Sequence, residues 1–122
     1  MKIILTATSP SIDSPVDGRF GRGAYFILVD TDTMEWQAYP NPGVGAMGGA
    51  GTLASQFIAN QQANAVISGD FGPNAYNALQ AAGVAMYLYG ARSTVKEAIE
   101  GFSAGQLEPV GAPTGIGFHR RR

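Results

Sequence analysis

Apolar and polar positions change period along the chain, and the changes mark its elements. Residues 2–8 carry Ile3, Ile4, Leu5 and Thr6 without alternation, which predicts a strand covered on both faces and therefore central in a sheet. Tyr25, Phe26, Ile27, Leu28 and Val29 predict a second strand over 24–30. Over 34–39, Met34, Trp36 and Ala38 alternate with Glu35, Gln37 and Tyr39. A period of two predicts a strand with one covered and one more exposed face, as at a sheet edge. Thr31-Asp32-Thr33 supplies turn chemistry between these two segments, so a hairpin is expected, with the second strand antiparallel to both neighbours.

After Pro40 and Pro42 the period lengthens. Leu53, Ala54, Phe57 and Ile58 form one stripe of a helix over 52–61, and residues 65–68 return to a buried strand. Pro73 suits the first position of a second helix, whose stripe is Ala75, Ala78, Leu79 and Ala82 and whose stop is Gly83. Residues 84–89 predict a fifth strand. Thr94 and Glu97 have capping-box spacing ahead of a third helix built on Val95, Ala98, Ile99 and Phe102.

The predicted order is β-β-β-α-β-α-β-α. Helical crossovers make the first, fourth and fifth strands parallel. The polar connection over 9–23, the glycine-rich loop over 42–52, and residues 70–74 and 90–94 then emerge at one end of the sheet. Three of these lead into helix N-termini, where backbone N–H groups favour anions, so a crevice at this end is the expected site. We expect one α/β domain over 1–108 and a flexible Gly/Pro- and Arg-rich tail over 109–122.

Charge and composition narrow the chemistry. Arg120, Arg121 and Arg122 contribute +3 to a formal net charge of -1, leaving a body at -4, the wrong sign for gripping a phosphate backbone. Nucleic acid is therefore not expected as a partner. The chain has no cysteine, which excludes disulfides, thiolate catalysis and thiolate ligation of iron or zinc. No apolar run approaches a membrane span, so no membrane partner is expected, and the cytoplasm is the default location. The single histidine, His119, sits in the predicted tail. It supports no Ser/His/Asp set, and the carboxylates lack paired spacing, so the expected role is non-enzymatic.

Gly43-x-Gly45-x-x-Gly48 matches a dinucleotide-binding string, and Asp70 lies twenty-two residues beyond Gly48, near where a ribose-binding acid belongs. Pro40 and Pro42 interrupt the context. The loop reads equally as a tight helix lead-in or as a clasp for an anion or cofactor. Arg19 and Arg22 flank Phe20-Gly21 and offer directed donors to an anion, or pair with Asp13 or Asp17. Phe20 reads as the anchor of the long loop. Asp70 reads as a ligand contact or a cap, and Asn74 as a donor at the start of the second helix.

Phe20-Gly21-Arg22-Gly23, Gly48-Gly49-Ala50-Gly51, Ala65-Val66-Ile67-Ser68-Gly69 followed by Gly72-Pro73-Asn74-Ala75, Ala78-Leu79 with Gly83-Val84, and Thr94-Val95-x-Glu97-Ala98-Ile99 together resemble the dinitrogenase iron-molybdenum cofactor biosynthesis family. The resemblance covers roughly residues 1–107. It implies a ribonuclease-H-like α/β fold with a five-stranded mixed sheet of order 3-2-1-4-5 and three helices. It also implies binding, storage or transfer of an iron-molybdenum cofactor or its iron–sulfur precursor, with cofactor-assembly or acceptor proteins as partners. Members associated with nitrogenase often carry histidine immediately before the Phe-Gly pair, where this chain has Arg19. No protein-ligated metal is therefore expected. The cofactor-binding set is Arg19, Phe20, Gly21, Arg22, Gly48, Gly49, Gly51, Thr52, Asp70, Gly72 and Asn74. Alternatives are a protein-interaction scaffold without cluster binding and a nucleotide- or anion-binding protein.

Overall fold

The computed structural model describes residues 1–45 and 48–114. Its strands are β1 (Lys2–Ala7), β2 (Tyr25–Asp30), β3 (Trp36–Pro40), β4 (Ala65–Ser68), β5 (Ala85–Leu88) and β6 (Glu108–Pro109). Its helices are α1 (Ala50–Asn60), α2 (Pro73–Ala81) and α3 (Val95–Ser103). The sheet order is β3-β2-β1-β4-β5-β6. The expected 3-2-1-4-5 order is thus present and is extended by a two-residue strand, β6, antiparallel to β5. As the connections require, β1, β4 and β5 are parallel, while β2 is antiparallel to both β1 and β3.

Register sorts the apolar residues into two cores. Leu28, Ile4, Val66 and Met86 lie in one cross-strand row and face the cluster that holds Ala54 and Ile58 of α1 and Ala75 and Leu79 of α2. The next row, Ile27, Leu5, Ile67 and Tyr87, faces Val95, Ala98 and Ile99 of α3. Ile3, Ile4 and Leu5 are fully buried, as a strand covered on both faces must be.

Helix ends follow their local chemistry. Thr94 Oγ1 accepts the Glu97 N–H at 3.2 Å while Glu97 accepts the Thr94 N–H, completing the capping box. Pro73 opens α2, and Gly83 leaves that helix with a φ of 76°. α1 begins at Ala50, two residues before its apolar stripe suggested. Gly49 takes a left-handed φ of 70° as cap, and its carbonyl accepts the Leu53 N–H at 2.9 Å.

The edge strand differs from its alternation pattern. Met34 lies outside β3, in the hairpin turn with a φ of 63°, its N–H donating to the Asp30 carbonyl at 2.7 Å. Met34 and Trp36 are exposed, whereas Tyr39, on the opposite face, is half-buried with its ring edge against Phe57 at 5.3 Å. Phe57 of α1 packs on the Tyr39 face, while Ala38 on the other face packs against the cluster under α3, so both faces of β3 are partly covered. Residues 109–114, expected as the start of a flexible tail, form a hydrogen-bonded strap across β5 and α2. His119 and Arg120 to Arg122 lie outside the described residues.

Candidate functional site

At the carboxyl ends of the parallel strands, three chain segments meet through glycines. A Cβ on Gly21 would stand 3.1 Å from the backbone nitrogen of Gly51, and one on Gly43 only 2.6 Å from the Ala50 carbonyl oxygen. The loop after β1, the glycine-rich loop and the start of α1 therefore touch backbone to backbone. Gly51 continues the contact to Ala75, against which its own Cβ would lie at 3.4 Å. This brings the first turns of α1 and α2 together.

A cavity of about 230 Å³ opens where these segments converge. Of the expected residues, Phe20, Gly21 and Arg22 line it from the loop after β1, Gly51 from α1, and Asp70, Gly72 and Asn74 from the turn into α2. The first turns of both helices hold N–H groups that the helices themselves leave unpaired, so two positive dipole ends and Arg22 border one small space. Such a space suits an anion. Four expected residues stand elsewhere: Gly48, Gly49 and Thr52 are exposed outside the lining, as is Arg19.

Two buried polar side chains hold the loop: Asp17, which the sequence offers as a partner for Arg19 or Arg22 and which pairs with Arg19, and Asn41, which the sequence does not single out. Asp17 is 5 % exposed and accepts the backbone N–H groups of Arg19 (3.0 Å) and Ala24 (3.3 Å). It also receives the Arg19 guanidinium, Nε to Oδ1 at 3.1 Å and Nη2 to Oδ2 at 3.2 Å. Burial pushes the Asp17 carboxyl up, but the Arg19 contacts and the Ala24 N–H outweigh it and hold the group below its ordinary value. Asn41 is fully buried beneath the loop. Its side-chain amide donates to the carbonyls of Phe20 (3.1 Å) and Gly21 (3.3 Å), and its Oδ1 accepts the Gly43 N–H at 2.8 Å. Phe20 itself is 1 % exposed, between Phe26 and Phe71 at centroid distances of 5.7 and 5.4 Å. The expected loop anchor is thus a core residue that also forms the cavity floor.

Asp70 is half-buried, and its Oδ1 lies 3.5 Å from the Phe20 N–H. Burial raises its carboxyl above the ordinary value, the Phe20 N–H opposes this, and the Asp17 charge raises it further. Tyr89 stands behind both carboxylates, pushed up to about 12 by burial and by their charges. A Cβ on Gly69 would meet its hydroxyl and the Gly18 Cα, each at 2.7 Å. A signal for Asp17 was present in the sequence as an acid two residues before an arginine. Nothing local distinguished Asn41 or Tyr89.

The chemistry of the lining is hard and hydrogen-bonding. Among the described residues no group of three or more His, Asp or Glu side chains could hold a metal ion, and none of their helices is long and apolar enough to cross a membrane. The dinucleotide string has a different structural meaning here. Gly43 is a packing glycine, whereas Cβ atoms on Gly45 and Gly48 would enter open space.

Residues 1–105 match the family model described as dinitrogenase iron-molybdenum cofactor. The chain belongs to this family. A curated member-length relative, an uncharacterised protein of Methanocaldococcus jannaschii, is 31% identical over 116 residues, covering 88% of this chain and 98% of the relative. The apo form of the orange protein from Desulfovibrio gigas superposes with a TM-score of 0.89 at 36% identity, covering 93% of this chain and 96% of that one. A NifB-like protein from Thermotoga gives a TM-score of 0.79 at 30% identity, covering 93% and 97%. These likenesses extend over about nine-tenths of this chain.

Proposed function

We propose that this protein is a non-enzymatic accessory factor that binds an iron-molybdenum cofactor or its iron–sulfur precursor and passes it on. The observation that carries the reading is the cavity bordered by the first turns of α1 and α2 and by Arg22, in a chain of this family. Clusters of this kind are anionic cargo. Amides of the two helix N-termini and the Arg22 guanidinium would hold their sulfur and carboxylate acceptors through hydrogen bonds and charge. With no cysteine anywhere in the chain, capture rests on these contacts and not on thiolate bonds, which suits a carrier that must release its load.

The test is an anaerobic titration of the full chain with isolated iron-molybdenum cofactor and, separately, with the iron–sulfur precursor, followed by gel filtration and metal analysis. Saturable retention near one cluster per chain, weakened by Arg22→Ala, is the expected result. Retention of neither cluster removes the reading.

A second reading, docking of a partner protein, is favoured by the far end of the molecule. There Met34 and Trp36 are 48 % and 39 % exposed beside a shallow depression of about 790 Å³ that also involves Leu28 and Tyr39. Trp36 is the only tryptophan, so its emission reports this surface directly. An unchanged emission on titration with purified assembly or acceptor proteins argues against docking there.

A further inference from the structure

β3 ends the sheet, paired on one side with β2. At the two ends of that pairing the Asp30 N–H donates to the Glu35 carbonyl at 2.9 Å and the Asn41 N–H to the Ala24 carbonyl at 3.1 Å. Antiparallel pairs alternate, so the odd-numbered residues over 35–41 turn their backbone groups toward β2. The N–H and C=O groups of Trp36 and Ala38 therefore face outward from the edge. Pro40 holds the next outward position and has no N–H to offer.

Exposed apolar side chains gather beside this edge. Among the described residues the large exposed hydrophobics are Met1, Met34, Trp36, Val44 and Leu53. Trp36 is on the strand, Met34 is in the turn before it, and the Met1 amino group is held to that turn, 3.0 Å from Asp32. Leu53 stands one helical turn before Phe57, whose ring meets Tyr39. Residues 36–40 carry no charged side chain, the usual guard of an open edge. The strand is also complementary to itself. A copy turned about a two-fold axis at Gln37 runs antiparallel and sets Trp36 opposite Ala38 of the copy. Both residues face outward, so each such pair exchanges both of its N–H···O=C bonds. On the same face the large indole meets the smallest side chain of the strand. Met34 and Pro40, equally far from Gln37, end the pairing at its two limits: one has a φ of 63° and the other lacks a donor.

We propose that this edge is an interface between two copies of the chain, joined through β3 in antiparallel register about Gln37. The inference rests on the docking reading above and takes the partner on that surface to be a second copy. It is independent of cluster binding, because the depression beside β3 and the cavity share no lining residue. In this register Glu35 lies opposite Tyr39 of the copy. The two Glu35 side chains are four residues apart along the paired strands, roughly 14 Å, so their repulsion is largely screened at physiological salt.

The test uses the full chain. Sedimentation velocity over a concentration series is expected to show a reversible monomer–dimer equilibrium, weakened at least about tenfold by Trp36→Lys, which places a charge at the centre of the interface. The chain has no cysteine, so single cysteines report the register without ambiguity. Gln37 forms a non-hydrogen-bonded pair with its counterpart, with Cα atoms about 4.5 Å apart, within reach of a disulfide. Under diamide, Gln37→Cys is expected to link to its own copy. Glu35→Cys and Tyr39→Cys should each stay unlinked alone and should link to each other when mixed. This cysteine series decides the register even if Trp36→Lys lowers the melting temperature. A parent that stays monomeric, with Gln37→Cys linking no faster than Glu35→Cys, overturns the interface, while the Trp36 emission titration with assembly or acceptor proteins still decides the docking reading. A dimer that survives Trp36→Lys, or that links equally at all three positions, overturns it as well.

Discussion

Arg19 lies along the Asp17 carboxylate, Nε 3.1 Å from Oδ1, and so points its charge at the loop's own anchor and not at the cavity. The Asp17 carboxyl is held below its ordinary value of 3.8 by contacts that outweigh its burial. Its folded-state value is thus lower than its unfolded one, so the interaction stabilises the fold above about pH 4 and that stability is lost as pH falls through the depressed value. Arg19→Ala is expected to lower the melting temperature slightly at pH 7 and to converge with the parent in acid. Cofactor retention should be unchanged. Asp17→Ala, which also strands the N–H groups of Arg19 and Ala24, should cost about 2 kcal/mol in a urea melt at pH 7.

Asp70 has the opposite sign. Burial raises its carboxyl, and the Asp17 charge adds to the shift against the opposing Phe20 N–H. A raised folded-state value means that its ionisation opposes folding: relative stability is full below the ordinary value of 3.8 and is lost as pH rises through the raised value. Asp70→Asn should therefore melt higher than the parent at pH 7, with the gain vanishing toward pH 3. Removing a negative charge from the lining should also tighten cofactor binding roughly fivefold. A variant that binds more weakly would assign Asp70 a direct ligand contact.

Much of this architecture was legible because it is encoded locally. The unbroken run Ile3 to Thr6, the Thr94–Glu97 box and the Pro73/Gly83 pair each fix a strand or a helix end with chemistry contained in a few residues. The convergence of loops at one sheet end followed from connectivity alone. What escaped the sequence was set by tertiary contact. Tyr39 is covered because α1 brings Phe57 over it, a fact no period in residues 34–39 contains. Asn41 resembles any polar loop residue until Phe20, Gly21 and Gly43 surround it. The strap depends on Thr114 meeting Phe71 across 43 residues of sequence.

The glycine-rich loop gives a direct contrast. A Cβ on Gly43 would press against two backbone carbonyl oxygens, Ala50 at 2.6 Å and Gly21 at 2.8 Å, neither of which can rotate away. Gly43→Ala should destabilise by about 2 kcal/mol and shift the amide resonances of Gly21 and Gly51. Gly45 faces open space, so Gly45→Ala should leave the melting temperature within a degree or two of the parent. Equal effects at both positions would mean that the loop acts through its conformational freedom and not through this contact.

The strap offers the last discrimination. The Phe71 N–H has the Thr114 hydroxyl as acceptor at 2.7 Å, and Phe71 is fully buried, so Thr114→Val leaves that donor without its acceptor. The cost should be about 1–2 kcal/mol, with hydrogen exchange at the Phe71 amide accelerated well beyond the global change. Tyr76→Phe cuts the other tie, to the Gly111 carbonyl, without touching Phe71. It should loosen the strap while leaving Phe71 exchange close to the parent's. Cofactor retention should follow the same order, weakened more by Thr114→Val than by Tyr76→Phe, because Phe71 lies between Asp70 and Gly72 of the lining.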